Sequence, residues 1–191
     1  MPHDQPAYCI WSLARSDASQ MASMGAELFI DTFGHLYSQR NLELFLNRVH
    51  TEQAVLQDMD AGRVFWIAGN QDEWYGYTKF GPMSLPMADH SPSAVELKQL
   101  YVRRPYHGKG VSHRLMAKFG EWVREKRASE VYISCWSENY RALAFYGKYG
   151  FETVGRYEFE VGDHRDDELI LRATSEALHQ RIDEHLDKER A

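Results

Sequence analysis

A single mixed α/β domain is the fold class this sequence predicts, and three observations predict it. Short runs rich in β-branched and aromatic residues alternate with stretches whose apolar residues recur at helical spacing. Some neighbouring runs stand close enough to pair as hairpins, while others are separated by an amphipathic stretch long enough to cross over a sheet. No internal repeat, low-complexity tract or linker divides the 191 residues, a length that suits one hydrophobic core.

Taken in order, Tyr8 to Leu13 reads as a first strand, and Ser16 or Asp17 caps a helix running to about Phe33. Leu42, Leu44, Phe45, Leu46 and Val49 predict a second helix from near Asn41, and Glu52 to Met59 adds another turn or two. Arg63 to Ala68 and Trp74 to Phe80, separated by Gly69-Asn70 and Asp72, predict a hairpin. Pro82, Pro86 and Pro92 make 81–93 a loop, read either as a cap on a binding site or as a plain connection. A strand follows from Val95 to Val102 and ends before Pro105 and Gly108. Val111, Leu115, Phe119, Trp122 and Val123 then fall on one face of a helix. Glu130 to Cys135 is the next strand, Asn139 to Tyr149 the next helix, and Phe151 to Val161 and Glu168 to Leu171 are two more strands. From Thr174 a charged helix carries a narrow stripe of Leu178, Ile182 and Leu186, suited to packing on its own domain or on a second subunit. The expected organisation is one domain over 1–191, with 174–191 as a C-terminal helical extension, in a monomer or homodimer.

The formal net charge of -6 and pI near 5.8 argue against nucleic-acid or anionic-membrane partners. Cys9 and Cys135 are far apart and form no CxxC pair, which suits a reducing compartment. The polar opening residues 1–6 lack the pattern of a secretion signal, and no apolar run reaches the ~20 residues that span a bilayer. A cytoplasmic location is therefore expected. Nine histidines occur without HExxH or clustered His/Cys spacing, so no metal is expected.

Against this acidic background, the segment from Lys98 to Lys118 holds six basic residues (Lys98, Arg103, Arg104, Lys109, Arg114, Lys118) and no acid. Gly108 and Gly110 lie where a strand hands over to a helix, where unpaired N–H groups and the positive end of the helix dipole attract an anion. The segment has no GxxxxGK[ST], and His113 stands where a dinucleotide fingerprint needs its third glycine. On these residues alone, a phosphate site and a tight turn before a solvated basic helix both remain open.

The second pattern is Asn139-x-x-Ala142-x-x-Phe145-Tyr146 followed by Tyr149-Gly150-Phe151. A packed helix with a glycine stop accounts for Ala142, Phe145, Tyr149 and Gly150, but leaves Asn139 and the hydroxyl of Tyr146 without a role. This pattern, the Gly-rich turn and the element order together resemble the GNAT superfamily of N-acetyltransferases. His107-Gly108-Lys109-Gly110-Val111-Ser112 stands at the family's [QR]xxGx[GA] loop, departing at His107 and Ser112. His107 is expected to weaken the cofactor's hold. The likeness covers residues 94–172 by motif and the earlier part by element order. Asp31-Thr32-Phe33, residues 96–102, Trp136-Ser137-Glu138-Asn139 and Gly162-Asp163 make it closest to the spermidine/spermine-type acetyltransferases.

The resemblance implies a central mixed sheet of about seven strands, splayed between strands 4 and 5 and flanked by helices. It also implies acetyl transfer from acetyl-CoA to a primary amine of a small molecule, a polyamine in particular, by direct attack in a ternary complex. A protein or peptide acceptor, and a non-catalytic acyl-CoA-binding regulator, are the alternatives. Such a transfer needs a base for the ammonium, donors for the oxyanion and an acid for the sulfur. By the family pattern Tyr146 is the acid, and the cofactor is held by Leu100, Tyr101 and Val102, by His107 to Ser112, and by Asn139, Tyr146 and Lys148. Main-chain groups of Leu100 and Val102 bind the pantetheine as an added strand would. A bulge is expected in residues 94–102, with Leu97 and Tyr101 on one side and Leu100 and Val102 on the other. Glu96 is either the base or a solvated or paired strand carboxylate. Asp31 and Glu43 are helix-surface acids or anchors for a polycation. Cys135 is an acylation site or an apolar filler, and Trp136 lines the substrate channel or the core.

Overall fold

The computed structural model describes residues 8–190. Residues 1–7, including the polar residues 1–6 that argued against a secretion signal, and residue 191 lie outside the described residues. The elements run β1 (Cys9–Ser12), α1 (Ala18–Phe33), α2 (Gln39–Val49), α3 (Glu52–Asp60), β2 (Val64–Gly69), β3 (Trp74–Pro82) and β4 (Val95–Val102). They continue with α4 (Val111–Lys126), β5 (Glu130–Trp136), α5 (Tyr140–Gly147), β6 (Glu152–Val161), β7 (His164–Thr174) and α6 (Ser175–Arg190). The strands form one seven-stranded sheet in the order β1-β2-β3-β4-β5-β7-β6. Every neighbouring pair is antiparallel except β4 and β5.

That parallel pair is short. It holds only at Val95 with Val131 and Glu96 with Tyr132, after which the strands part. The cause lies on the other side of β4: Lys79 pairs with Gln99 and Phe80 with Leu97, so Lys98 is an extra, bulged residue. A bulge bends its strand and increases its twist, which carries the second half of β4 away from β5. The bulge falls in the segment expected to contain it, but the facing differs from expectation. Leu97 lies in the core under α4 with Leu100 packed against that core, whereas Tyr101 packs in the core under α1 beside Tyr77. The extra residue breaks the two-residue alternation, so residues three apart share a face.

Each face of the sheet is covered by helices whose apolar spacing made them legible. On one face α4 buries Val111, Leu115, Met116, Phe119 and Val123. α6 lies over α4, with Leu178 and Ile182 buried and the His179 Nε2–H donating to the Gly120 carbonyl at 2.9 Å. The C-terminal helix thus packs on its own chain. On the other face Met21, Ala22, Met24 and Leu28 of α1 pack on Phe65, Ile67 and Tyr77. Ser38 and Thr51 cap α2 and α3 by accepting from Asn41 N (3.3 Å) and Ala54 N (3.1 Å), as short hydroxyl residues do at helix starts.

β7 is much longer than the expected Glu168 to Leu171. Its charged first half is drawn into the ladder by β6, where Arg165 meets Glu158 at 2.7 Å and Glu160 at 3.2 Å. β3 runs on through Gly81 and Pro82, so the following loop starts at 83 rather than 81. Among the described residues, no helix is long and apolar enough to cross a membrane.

Candidate active site

Where β4 and β5 part, a cleft of about 1010 Å³ opens. β4 supplies Leu100, Tyr101 and Val102 to one wall, and α5 supplies Tyr146, with its cap residue Asn139, to the other. Arg103 N donates to Tyr75 O at 2.8 Å, toward β3. Main-chain groups alternate in direction along a strand, so those of Leu100 and Val102 point toward the gap, as the added-strand expectation requires. One is already engaged, because the His107 Nε2–H donates to the Val102 carbonyl at 2.7 Å. Arg141 Nη1 donates to His107 Nδ1 at 2.9 Å, so this histidine ties the end of β4 to α5.

Beyond His107 the chain turns through two left-handed glycines, Gly108 at φ 74° and Gly110 at φ 77°, into α4. A side chain at either would be strained. A Cβ built at Gly108 meets nothing within 4 Å, so the backbone faces open space. Gly110, at the cap of α4, has no side chain to satisfy the first N–H groups of the helix, which suits that end to an anion. A second hollow of about 310 Å³ shares Gly108, Ser112, Arg141 and Phe145 with the cleft and adds Gly110, His113 and Lys148. Glycine backbone, helix N-terminus and two cations make a cradle that suits a diphosphate. Lys109 and Val111 line neither space: Lys109 Nζ sits 5.5 Å from the Tyr106 ring centroid, and Val111 is buried beside Leu115. Arg141 escaped the sequence reading, since nothing about an arginine one residue into a helix marks it as facing a loop thirty-odd positions earlier.

Tyr146 is buried, and burial first of all raises its pKa well above the usual tyrosine value, so the phenol keeps its proton. Asn139 acquires a folding role that the sequence left open: its Oδ1 caps α5 by accepting from Ala142 N at 3.2 Å, while the residue still lines the cleft. Cys135 also lines it, with burial pushing its thiol up to about 12, the behaviour of an apolar filler. Trp136 lines the cleft in edge contact with Phe33, ring centroids 6.2 Å apart.

Glu96 lies deep in the cleft, 4% exposed. Its Oε2 accepts from Ser84 N (2.8 Å) and Ser84 Oγ (3.0 Å), and its Oε1 from Lys98 Nζ (2.8 Å). The geometry is that of a paired strand carboxylate. Asp31 sits exposed at the rim, and Glu43 lies outside the cleft, accepting from Gln39 at 2.6 Å. Ser84, Leu85 and Pro86 line the cleft, and Leu85 packs with Ala94 on Tyr132 and Ile170, so the loop after β3 caps the site.

Two carboxylates of β7 that the sequence reading missed also line the cleft, Asp166 and Glu168. Asp166 is held by the Tyr37 hydroxyl and by His164 Nε2 at 3.1 Å. Glu168 stands opposite Trp136 on one side and Tyr157 on the other. Burial, then Asp166 and Asp167, lift its pKa to about 7 against a hydrogen bond from Ser134. No local signal picks it out, because its strand was read as four residues and its partners come from two other strands.

A sequence model of the acetyltransferase (GNAT) family matches residues 24–151. The chain is 24% identical over 164 residues to an uncharacterised N-acetyltransferase from the pepI 3′ region of Lactobacillus delbrueckii subsp. lactis, spanning 85% of this chain and 95% of that one. A solved PaiA N-acetyltransferase of Thermoplasma acidophilum, in complex with coenzyme A, superposes with a TM-score of 0.68 at 16% identity over 88% of this chain and 99% of that one. The ribosomal-protein-alanine N-acetyltransferase of Brucella melitensis does so at 0.64 with 21% identity, over 87% and 99%. At such identities the structural likeness speaks for the fold.

Proposed function

Because the chain belongs to the GNAT acetyltransferase family, we propose that it moves an acetyl group from acetyl-CoA to a primary amine of a small molecule, by direct attack within a ternary complex. The observation that carries this reading is the gap between β4 and β5, which opens beside the glycine cradle at one end and Tyr146 along its wall. The bound cosubstrate supplies a thioester whose carbonyl carbon is open to attack. Gly108, Gly110 and the first N–H groups of α4 hold its diphosphate, with Arg141 and Lys148 adding charge. The main chain of Leu100 and Val102 aligns the pantetheine arm and meets the carbonyl oxygen as negative charge gathers there. Tyr146, kept protonated by burial, gives its proton to the departing sulfur.

The acceptor end supports an amine. Glu168 and Asp166 line it together with Phe33, Tyr37, Trp136 and Tyr157, a wall that suits an ammonium and a short alkyl chain. Polyamines are the class the sequence resemblance suggests. Arg48, Lys79, Lys98 and Arg104 line the same cleft, so its charge is mixed, which favours a compact monoamine over a long polycation. The test is release of the coenzyme A thiol with a panel of alkylamines, polyamines, amino acids and alanine-ended peptides. Turnover with a small amine is the expected result. Acetyl-CoA binding with no turnover on any amine would instead identify an acyl-CoA sensor, and peptide-only turnover a protein-modifying enzyme.

A further inference from the structure

We propose that Glu168, rather than Glu96, is the catalytic base that takes the proton from the acceptor ammonium, and that the recess around it is the seat of that amine. The proposal rests on the acetyl-transfer reading above and deepens it.

The argument begins with register. β7 lies between β5 and β6, and Glu168 pairs with Trp136 on one side and Tyr157 on the other. Directly opposed residues of antiparallel strands present their side chains on the same face, and all three line the cleft. That face is covered at one end by Phe45 and Phe159, in edge contact at 5.7 Å, and at the other by Leu85 and Ala94 against Tyr132 and Ile170. Between the two covers the sheet is left open, with Glu168 on its floor.

The partners of the cleft carboxylates then separate them. Glu96 accepts three hydrogen bonds, one from the Lys98 ammonium, and Asp166 is held by Tyr37 and His164. Protonating either would sacrifice a charge-assisted contact. Glu168 stands beside hydroxyls instead: Ser134 favours its charged form, and the Tyr157 hydroxyl donates to Ser134 Oγ at 3.0 Å. Although cations line other parts of the cleft, no ion pair holds Glu168 among the described residues. The titratable groups around it are Asp166 on its own face of β7, with His164 bonded to that aspartate, Cys135 on β5, Tyr157 on β6, Tyr101 on β4, Tyr146 on α5 and Tyr37 before α2, while Asp167 turns to the opposite face and pairs with Arg156. Burial first, then the two aspartates, favour the protonated carboxyl, and a base that titrates near the working pH is the most effective kind. Tyr101, Tyr146 and Cys135 line the same cleft as Glu168, so the carboxylate and the proton donor share one cavity.

The step balances. Glu168 takes one proton from the ammonium, and the freed lone pair forms the C–N bond as the C–S bond breaks. Tyr146 protonates the leaving sulfur and regains a proton from the nitrogen, which has one to lose on becoming an amide. One proton per turnover stays on Glu168 and passes to solvent, by way of Ser134 and Tyr157 or directly.

The experiment compares wild type, Glu168→Gln, Glu168→Asp and Glu96→Gln with the best alkylamine of the panel and with a fluorinated amine that is already neutral at the assay pH. Wild-type kcat is expected to rise with pH through an apparent pKa near 7. Glu168→Gln loses that limb and roughly 10²–10⁴-fold in rate, while acetyl-CoA affinity measured by calorimetry is kept. With the fluorinated amine the deficit shrinks below about tenfold, because there is no first proton to remove. Glu168→Asp keeps the limb at a reduced rate, and Glu96→Gln keeps it as well. The proposal is overturned if Glu168→Gln retains the limb, if its deficit is the same with both amines, or if Glu96→Gln abolishes the limb. Wild type that turns over no amine overturns the acetyl-transfer reading itself and this proposal with it.

Discussion

Replacing Gly108 with alanine separates the cost to the fold from the cost to the cofactor site. Gly108 sits at φ 74°, where an L-residue loses about 1–2 kcal/mol. Because the added Cβ meets no atom within 4 Å, no clash is added to that strain. At roughly 2–4 °C per kcal/mol for a domain of this size, melting should fall by about 2–8 °C. The bound state pays separately, since the methyl projects into the space where a phosphate would approach the N–H groups. Loss of a single charge-assisted hydrogen bond, about 1.5–3 kcal/mol, raises the dissociation constant of acetyl-CoA by roughly 10- to 150-fold. Calorimetric titration of acetyl-CoA, beside thermal melts of the unliganded protein, reads both quantities. A variant that shows the loss in melting temperature yet binds acetyl-CoA as tightly as wild type would refute the placement of the diphosphate at this loop.

Three further outcomes are expected. Tyr146→Phe should lower kcat by one to three orders of magnitude while leaving acetyl-CoA affinity within about twofold, a split that steady-state kinetics and calorimetry resolve. Asp58→Ala should cost about 3–5 kcal/mol in denaturant unfolding, because Asp58 Oδ2 is 2.9 Å from Lys79 Nζ and Lys79 is 8% exposed, so the change strands a buried ammonium. Glu168 also sets a pH dependence of stability. Its folded pKa of about 7 lies above its ordinary value of 4.5, so the folded state binds more protons between the two. Stability from this group is therefore full below about pH 4.5 and is lost as pH rises through 7, amounting to at most ~3 kcal/mol. Melting curves should show Glu168→Gln gaining on wild type from pH 5 to pH 8; a constant gap would contradict the raised pKa.

The expectations that held share a physical basis in short-range information. The strand Val95 to Val102, the helix faces of α1 and α4, and the glycine turn between β4 and α4 are each written in fewer than twenty consecutive residues, through side-chain period and left-handed glycines. The segments proposed to hold the cofactor, from Val102 to Ser112 and from Asn139 to Lys148, are of this kind, so their local structure was legible before any fold was known.

The acceptor end was not. Glu168 meets Trp136 and Tyr157 only because the β6–β7 hairpin folds back to insert β7 between β5 and β6, a pairing set by long-range register that no window of sequence contains. The partners that distinguish Glu96 from Glu168, Lys98 and Ser84 against Ser134 and Tyr157, depend on the bulge at Lys98 and the docking of the loop after β3. Sequence by itself determined the fold class and the glycine turn into α4 at which a phosphate is proposed to sit, because both follow from local backbone preferences and apolar spacing. Which carboxylate stands unpaired by a cation in the opened sheet was decided by tertiary structure alone, since burial and ion pairing are properties of neighbours in space.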